Sequence, residues 1–361
     1  MKVLKERCEK GYGLKLYLIE EEMQKKVKAS KIEQTGKTLL EAPLDVHIAV
    51  TNQCNMQCEY CYAMDENFSK QKDMTLEEIK KVLDDLNKEK IFKISWSGGE
   101  PLIRNDFKDI VKYADRYGLV QSIITNGLEI DDEWIDIFKR YNIDIQLSLH
   151  KNEPEFWYKC MTLTQNSVKT YMDVVMEPEL LGCVKDLVDN AKKAGIQKVK
   201  FGPLIPVGKA KIEVEEYRKI LIKLLLEINS ARCNDILLVT QFDRPKVNIE
   251  SMTYLKREDL LCEGGRTLLY IDNNGDAYPC PLLKSYRYLY CGNILRNTLS
   301  EIWNGDVLNE YRESCEMAKG CDSNNCICGV WCRGLTLAYT GNIKEKTPFC
   351  KLWNEVQNER N

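Results

Sequence analysis

A chain of 361 residues, 44% hydrophobic and 30% charged, has ordinary globular composition and is long enough for two domains and a large core. Its 52 basic and 55 acidic residues nearly cancel, to a net charge of −3, and no Lys/Arg-rich stretch stands out, which argues against nucleic acid as a main partner. Met1-Lys2-Val3-Leu4-Lys5-Glu6-Arg7 lacks the apolar centre of a signal peptide, and charge interrupts apolar stretches such as Leu224–Leu226 long before the ~18 residues of a membrane span, so a cytoplasmic protein with no membrane partner is expected.

Residues 1–42 are charged and weakly periodic, and read as an N-terminal appendage. Regular alternation starts with the apolar strand Val46–Val50. Thr75-Leu76-Glu77-Glu78 has the form of a capping box, opening a helix that runs to about Glu89. Strand Phe92–Trp96, helix Asp106–Tyr117, strand Val120–Thr125, helix Asp131–Tyr141 and strand Ile143–Leu149 follow. Then come strand Val168–Met176, helix Glu179–Ala194, strand Gln197–Leu204, helix Val214–Asn229 and strand Ile236–Gln241. Strands alternating with helices imply βαβ units, a parallel sheet and right-handed crossovers. The expected fold is α/β, a partial (βα)6 barrel over residues 43–250. The alternation stops there. Residues 255–361 are turn-rich and cysteine-dense, and Thr267–Ile271, the Asp272–Asp276 turn and Ala277–Pro279 read as a β-hairpin in a second domain.

Sixteen cysteines depart from the ordinary composition. In a reducing cytoplasm they favour metal binding over a disulfide framework. His47 and His150 are the two histidines, which leaves little material for Cys/His zinc fingers or Cys–His nucleophile pairs. Directly after the first barrel strand stand Cys54, Cys58 and Cys61, spaced C-x3-C-x2-C. Iron–sulfur clusters take four thiolates and structural zinc four ligands. Three thiolates on one loop hold three irons of a four-iron cluster and leave the fourth open to something other than protein. A structural zinc site completed by a fourth residue is the alternative. Barrel chemistry sits at the C-terminal strand ends, where the sequence also places Ser97-Gly98-Gly99-Glu100-Pro101, Asn126-Gly127 and Ser148-Leu149-His150. Glycine lets backbone approach a ligand closely, Glu100 offers an acceptor to an ammonium group, and Asn126 and Ser148 offer hydrogen bonds, or serve as turn and strand-end caps.

Cys54-x3-Cys58-x2-Cys61 followed by Gly98-Gly99-Glu100-Pro101 after the next strand resembles the radical S-adenosylmethionine (SAM) superfamily. The resemblance implies a [4Fe–4S] cluster on the three cysteines, its open iron chelating the amine and carboxylate of SAM. Reductive cleavage then yields a 5′-deoxyadenosyl radical that takes a hydrogen atom from substrate, the cofactor doing the hard chemistry while the protein aims it. It also implies that Gly98, Gly99 and Glu100 face the methionine amine, that Tyr60 lies near adenine, and that Asn126 and Ser148 contact ribose or carboxylate.

The C-terminal region resembles the SPASM extension of this superfamily, on Cys262, Gly275-x4-Cys280, Gly292-Asn293-Ile294, Leu299-Ser300-Glu301-Ile302-Trp303, Cys328-x3-Cys332-Arg333-Gly334 and Cys350. One or two auxiliary [4Fe–4S] clusters are implied. Cys262, Cys280 and Cys332 would hold the first, and Cys328 and Cys350 would contribute to the second. The family run C-x2-C-x5-C-x3-C is not kept: here it reads Cys315-x5-Cys321-x4-Cys326-x1-Cys328-x3-Cys332, and only the last gap fits. Cys321 and Cys326 are taken as the missing ligands, Cys315 as a reserve, and Cys291 as a fourth ligand to the first cluster. A zinc-ribbon-like stapled domain is the bland alternative.

Two further residues follow the fourth barrel strand: His150, as base or substrate contact, and Cys160, as a hydrogen-atom donor or a plain structural thiol. The resemblance implies a peptide or protein substrate matured by a crosslink, a thioether or epimerisation. It also implies an electron donor such as flavodoxin or ferredoxin. Because residues 1–42 are shorter than the winged-helix-like leader-binding domain of many such enzymes, leader binding would need a separate leader-binding protein or a barrel surface, unless the substrate has no leader at all. The alternatives are a sulfatase-maturase-type oxidation of Cys or Ser to formylglycine, a small-molecule radical dehydrogenase, and a redox scaffold without radical chemistry.

Overall fold

The computed structural model describes residues 1–21, 24–35, 39–63, 72–207, 212–240, 262–316, 332–349, 352 and 356. They belong to two compact units, each drawn from three stretches of chain. The first takes its residues from Met1–Asn55, Asn67–Ile123 and Pro245–Glu316, the second from Met56–Glu66, Ile124–Arg244 and Met317–Asn361.

In the first unit the expected appendage is a three-stranded antiparallel sheet, β1 (Lys2–Glu9), β2 (Leu14–Glu21) and β3 (Gln24–Lys31), in the order β1-β2-β3. Leu14, Leu16 and Leu18 alternate inward along β2. β1 is fastened by Arg7, 7% exposed, which pairs with Glu9 at 2.5 Å and donates to the carbonyls of Ala42 at 2.8 Å and Pro43 at 3.2 Å. Glu9 also accepts from the Glu41 N–H at 2.7 Å. A buried ion pair offsets its desolvation only when its remaining donors and acceptors are used, as they are here. The consequence is positional, since residues 41–43 lead directly into the first barrel strand.

That strand is β4 (Asp45–Thr51), followed by α1 (Leu76–Lys88), β5 (Lys93–Gly98), α2 (Phe107–Asp115) and β6 (Val120–Thr125). β4, β5 and β6 pair in parallel. Val46, Ile48 and Val50 are fully buried, and α1 buries Ile79, Val82, Leu83 and Leu86, the i, i+3, i+4, i+7 stripe of an amphipathic helix. Its capping box is formed as expected, Thr75 accepting from the Glu78 N–H while the Glu78 carboxylate accepts from the Thr75 N–H.

The second unit holds α3 (Asp132–Tyr141), β7 (Asp144–Leu149), α4 (Pro154–Gln165), β8 (Thr170–Met176), α5 (Val184–Lys193), β9 (Lys198–Pro203), α6 (Val214–Ala231) and β10 (Leu237–Thr240). β7 to β10 form a parallel run in sequence order. Helix α4 escapes a periodicity reading because it buries only Cys160 and Leu163. The helix expected from Glu179 is broken: a short 3-10 turn ends at Leu180, Gly182 takes φ +78°, and α5 begins at Val184.

The hairpin read from the sequence is present as β11 (Leu268–Ile271) and β12 (Asp276–Tyr278), with β13 (Gly292–Asn293) beside β12. It does not stand apart from the barrel strands. β11 pairs in parallel with β4, from Leu268↔Asp45 to Ile271↔Ile48, so the first unit's sheet runs β6-β5-β4-β11-β12-β13. Helices α7 (Leu299–Trp303) and α8 (Asp306–Glu316) follow. Trp303 is fully buried and donates from Nε1 to the Leu40 carbonyl at 2.8 Å, and the Arg312 guanidinium lies 4.4 Å over its ring. In the second unit α9 (Arg333–Thr340) places Tyr339 against Tyr217 of α6, ring centroids 6.3 Å apart. Among the described residues no helix is long and apolar enough to cross a membrane.

Candidate active site

In the first unit, the end of β4 and the end of β5 meet backbone to backbone. The Gly99 N–H donates to the Thr51 carbonyl and the Glu100 N–H to the Gln53 carbonyl, both at 2.8 Å. A Cβ on Gly98, whose φ is +133°, would stand 2.2 Å from Thr51 O, and one on Gly99 1.9 Å from Gln53 O. Both are impossible contacts. The glycines therefore make room for the root of the cysteine loop. Glu100 is 1% exposed, and its carboxylate accepts from the Leu102 N–H at 3.1 Å. Cys54 is half-buried and directly follows Gln53, whose carbonyl makes the second of these bonds.

In the second unit Cys58 and Cys61 are half-buried and joined by a turn, the Cys61 N–H donating to the Cys58 carbonyl at 3.3 Å. Tyr60 Oη lies 2.6 Å from His150 Nδ1, Cys58 Sγ lies 3.4 Å from the same nitrogen, and the two rings stack at 6.0 Å and 13°. His150, just past the end of β7, thus stands beside the cysteine loop. Burial lowers its pKa and favours neutral imidazole. Burial, then the charges of Cys58 and Glu177, raises that of the Tyr60 phenol. Glu177, directly after β8, was not singled out from the sequence. Its carboxylate makes no hydrogen bond or ion pair among the described residues, and burial, then Glu179 and Glu59, pushes it up to about 7. The readable signal was its place at a strand end, the same signal that marked His150.

Asn126 and Ser148 are half-buried at the ends of β6 and β7. Asn126 accepts from the Leu128 N–H at 2.9 Å, a turn-forming bond. Cys160 is not brought to this group. It is fully buried in α4, and burial pushes its thiol up to about 12.

Among the C-terminal cysteines, Cys262 Sγ lies 3.4 Å from Tyr311 Oη, and a Cβ on Gly264 would stand 3.1 Å from that hydroxyl and 3.3 Å from the Cys280 Cβ. The first unit so gathers Cys262 and Cys280 around Tyr311. Cys291 donates to the Leu289 carbonyl at 3.3 Å, and burial raises its thiol to about 12, against the pull of Arg312. In the second unit Cys332 caps α9, its sulfur accepting from the Leu335 N–H at 3.3 Å. Cys321, Cys326, Cys328 and Cys350, and the side chain of Cys315, lie outside the described residues. Among the described residues no three His, Cys, Asp or Glu side chains stand at the spacing of a single metal ion. A cluster hands each thiolate a separate iron and spreads its ligands wider, and three half-buried thiols on one loop, none in a disulfide, suit that donor set.

A family model of the radical SAM superfamily matches residues 48–221, and one of the SPASM iron–sulfur cluster-binding domain matches residues 262–332. The chain carries a radical SAM domain and, after it, a SPASM domain. It is similar to the PqqA peptide cyclase of Streptomyces rochei, at 24% identity over 337 residues, covering 86% of this chain and 90% of that one. It is 28% identical to the GTP 3′,8-cyclase of Clostridium perfringens over 184 residues, covering 46% of this chain and 57% of the relative. Two solved structures share its fold. Streptococcus suis SuiB bound to precursor peptide SuiA has a TM-score of 0.65 at 17% identity, covering 86% of this chain and 76% of SuiB. AdoMet-bound anSMEcpe has a TM-score of 0.66 at 17% identity, covering 88% and 92%.

The cofactors of this radical SAM enzyme are SAM and a [4Fe–4S] cluster, with auxiliary iron–sulfur clusters in the SPASM domain. When bound, the catalytic cluster supplies the electron that cleaves SAM to methionine and a 5′-deoxyadenosyl radical. The chain's own residues set the frame for that chemistry. Gly98 and Gly99 allow the β5 exit to lie against the loop root, and Tyr60 and His150 pack side by side at Cys58.

Proposed function

We propose that this enzyme modifies a ribosomally made peptide by abstracting a hydrogen atom, joining two of its side chains in a crosslink or thioether or inverting an α-carbon. The observation that carries this reading is coverage. Similarity to the PqqA peptide cyclases runs over 86% of this chain and 90% of the relative, through both domains, whereas similarity to the GTP 3′,8-cyclase covers 46% of this chain. A neighbour of the same fold is solved with its precursor peptide.

In this reading Cys54, Cys58 and Cys61 hold the catalytic cluster, and the Gly98–Glu100 segment receives the methionine amine. Tyr60 lies toward adenine, with Asn126 and Ser148 as ribose or carboxylate contacts. His150 supports Tyr60 and stands on the substrate side. Cys262, Cys280 and Cys332 ligate an auxiliary cluster with Cys291 as the fourth candidate, and Cys321, Cys326, Cys328 and Cys350 serve a second, Cys315 in reserve. A flavodoxin or ferredoxin in the cytoplasm supplies electrons, and a separate protein presents the peptide leader.

The test is anaerobic reconstitution, reduction and addition of SAM with a candidate precursor peptide. A side-chain crosslink shows as loss of two hydrogens by mass spectrometry with stoichiometric 5′-deoxyadenosine. Formylglycine on a Cys- or Ser-bearing target, with no change in any precursor peptide, would replace this reading with protein maturation.

A further inference from the structure

Asp73 precedes α1 by three residues, and its carboxylate faces away from helix capping, since Thr75 and Glu78 already satisfy the helix start. Its Oδ2 accepts from the Thr51 hydroxyl at 2.7 Å, and its Oδ1 accepts from the Asn52 N–H at 3.1 Å. The Asn273 amide donates to the same Oδ1 at 2.9 Å, and the Asn273 carbonyl accepts from the Met74 N–H at 2.7 Å. Asn273 is 2% exposed, in the turn between β11 and β12. Thr51 is equally buried, and its hydroxyl accepts in turn from the Gln53 N–H at 3.1 Å. The carbonyls of Thr51 and Gln53 are those that receive Gly99 and Glu100. Charge-assisted hydrogen bonds are the strong ones, and this carboxylate gathers three donors from two segments remote in sequence. All of these residues lie in the first unit.

We propose that Asp73 is a positioning residue for the catalytic cluster loop. It fixes the backbone of Thr51–Gln53, from which Cys54 follows directly and against which the Gly98–Glu100 segment is seated. Through Asn273 it links that backbone to the hairpin that leads to the auxiliary cysteine Cys280. The physical logic is that of outer-shell residues at metal sites, which orient ligands they do not replace. The carboxylate suits the place because it can accept several hydrogen bonds at once, which a neutral side chain of that length does less well.

The test uses the full chain, reconstituted anaerobically, and reads iron content, the electron paramagnetic resonance of the reduced protein with and without SAM, and 5′-deoxyadenosine formed without peptide. For Asp73→Ala we expect auxiliary signals to persist, the SAM-induced change of the catalytic signal to broaden or vanish, and cleavage to fall about 10–100-fold. Asp73→Asn should lie between, because its oxygen can still accept from the Asn52 N–H and the Asn273 amide while its nitrogen replaces the acceptor of the Thr51 hydroxyl. Should Asp73→Ala fail to fold, Thr51→Val keeps the carboxylate but removes the hydroxyl's bonds to Asp73 and to the Gln53 N–H, and should shift the spectrum in the same direction. A native SAM response and cleavage rate in Asp73→Ala at full cluster content, or in Thr51→Val where the first variant does not fold, would overturn the proposal. None of these readouts needs a peptide, so they stand apart from the substrate reading.

Discussion

The two ends of the cysteine loop are built by different means. At the root, Thr51 to Cys54, the partners are backbone groups and one carboxylate, and two glycines leave no space for a single added carbon. At the far end, Cys58 to Cys61, the partners are side chains: a phenol, an imidazole and, by its charge, the Glu177 carboxyl. Sterics and the hydrogen bonds of Asp73 hold the root, where any displacement is transmitted to Cys54. Side-chain hydrogen bonds and charge govern the far end, where protonation and single-atom changes act. Substitutions should accordingly have all-or-none effects at the first and graded effects at the second.

The largest effect belongs to the thiolates themselves. Cys54→Ala should abolish SAM cleavage, read as 5′-deoxyadenosine, while iron bound by the C-terminal cysteines persists. Cys280→Ala should reverse this pattern, keeping uncoupled cleavage and losing modified peptide. Equal losses from both variants would erase the separation of catalytic from auxiliary cluster. Next is Gly99→Ala. Its Cβ would sit 1.9 Å from the Gln53 carbonyl, so the loop root must move. Overpacking of this kind costs about 1–3 kcal/mol, and a misplacement near 1 Å costs cleavage about 100-fold. A variant that unfolds and cleaves like the native enzyme would show that the root is not held by sterics.

How far such features could be read from the chain depends on their range in sequence. The capping box Thr75/Glu78, the strand Val120–Thr125 and the β11–β12 hairpin are local patterns, and the structure contains them. So are C-x3-C-x2-C and the paired glycines. The N-terminal sheet is less open to reading: β3 presents Lys25, Lys26, Lys28 and Lys31, edge-strand lysines that deter unwanted pairing but hide its periodicity. The parallel pairing of β11 with β4 had no local mark at all. At the site, His150 and Tyr60 each stood out by position, but their hydrogen bond joins residues 90 apart. Asp73 reaches 22 residues back to Thr51 and 200 forward to Asn273. Long-range pairing of polar groups leaves no periodic trace, and those pairs are what assemble the loop.

At the far end, Tyr60→Phe removes the phenol from His150 and little else. Losing one such hydrogen bond should destabilise the protein by about 1 kcal/mol, read by urea unfolding before cluster loading. Cleavage should fall by less than in Gly99→Ala. A loss as large as that of Gly99→Ala would mean that the far end is held as stiffly as the root.

The smallest effect is expected at Glu177, where it takes the form of a pH dependence. Burial, reinforced by Glu179 and Glu59, raises the carboxyl from the ordinary 4.5 to about 7 in the folded protein. The unfolded chain ionises it at the ordinary value, so folding opposes ionisation. Its contribution to stability is therefore whole below pH 4.5 and is lost as pH rises through 7. Glu177→Gln cannot ionise. It should match the native protein near the acid end of that window and exceed it at the alkaline end, by about 1 kcal/mol once solvent screening of a half-exposed group is allowed for. Urea midpoints of the two proteins across this range provide the measurement. Curves that stay parallel would place the charge of Glu177 in water, and would leave the Tyr60–His150 pair as the part of the far end that responds to its surroundings.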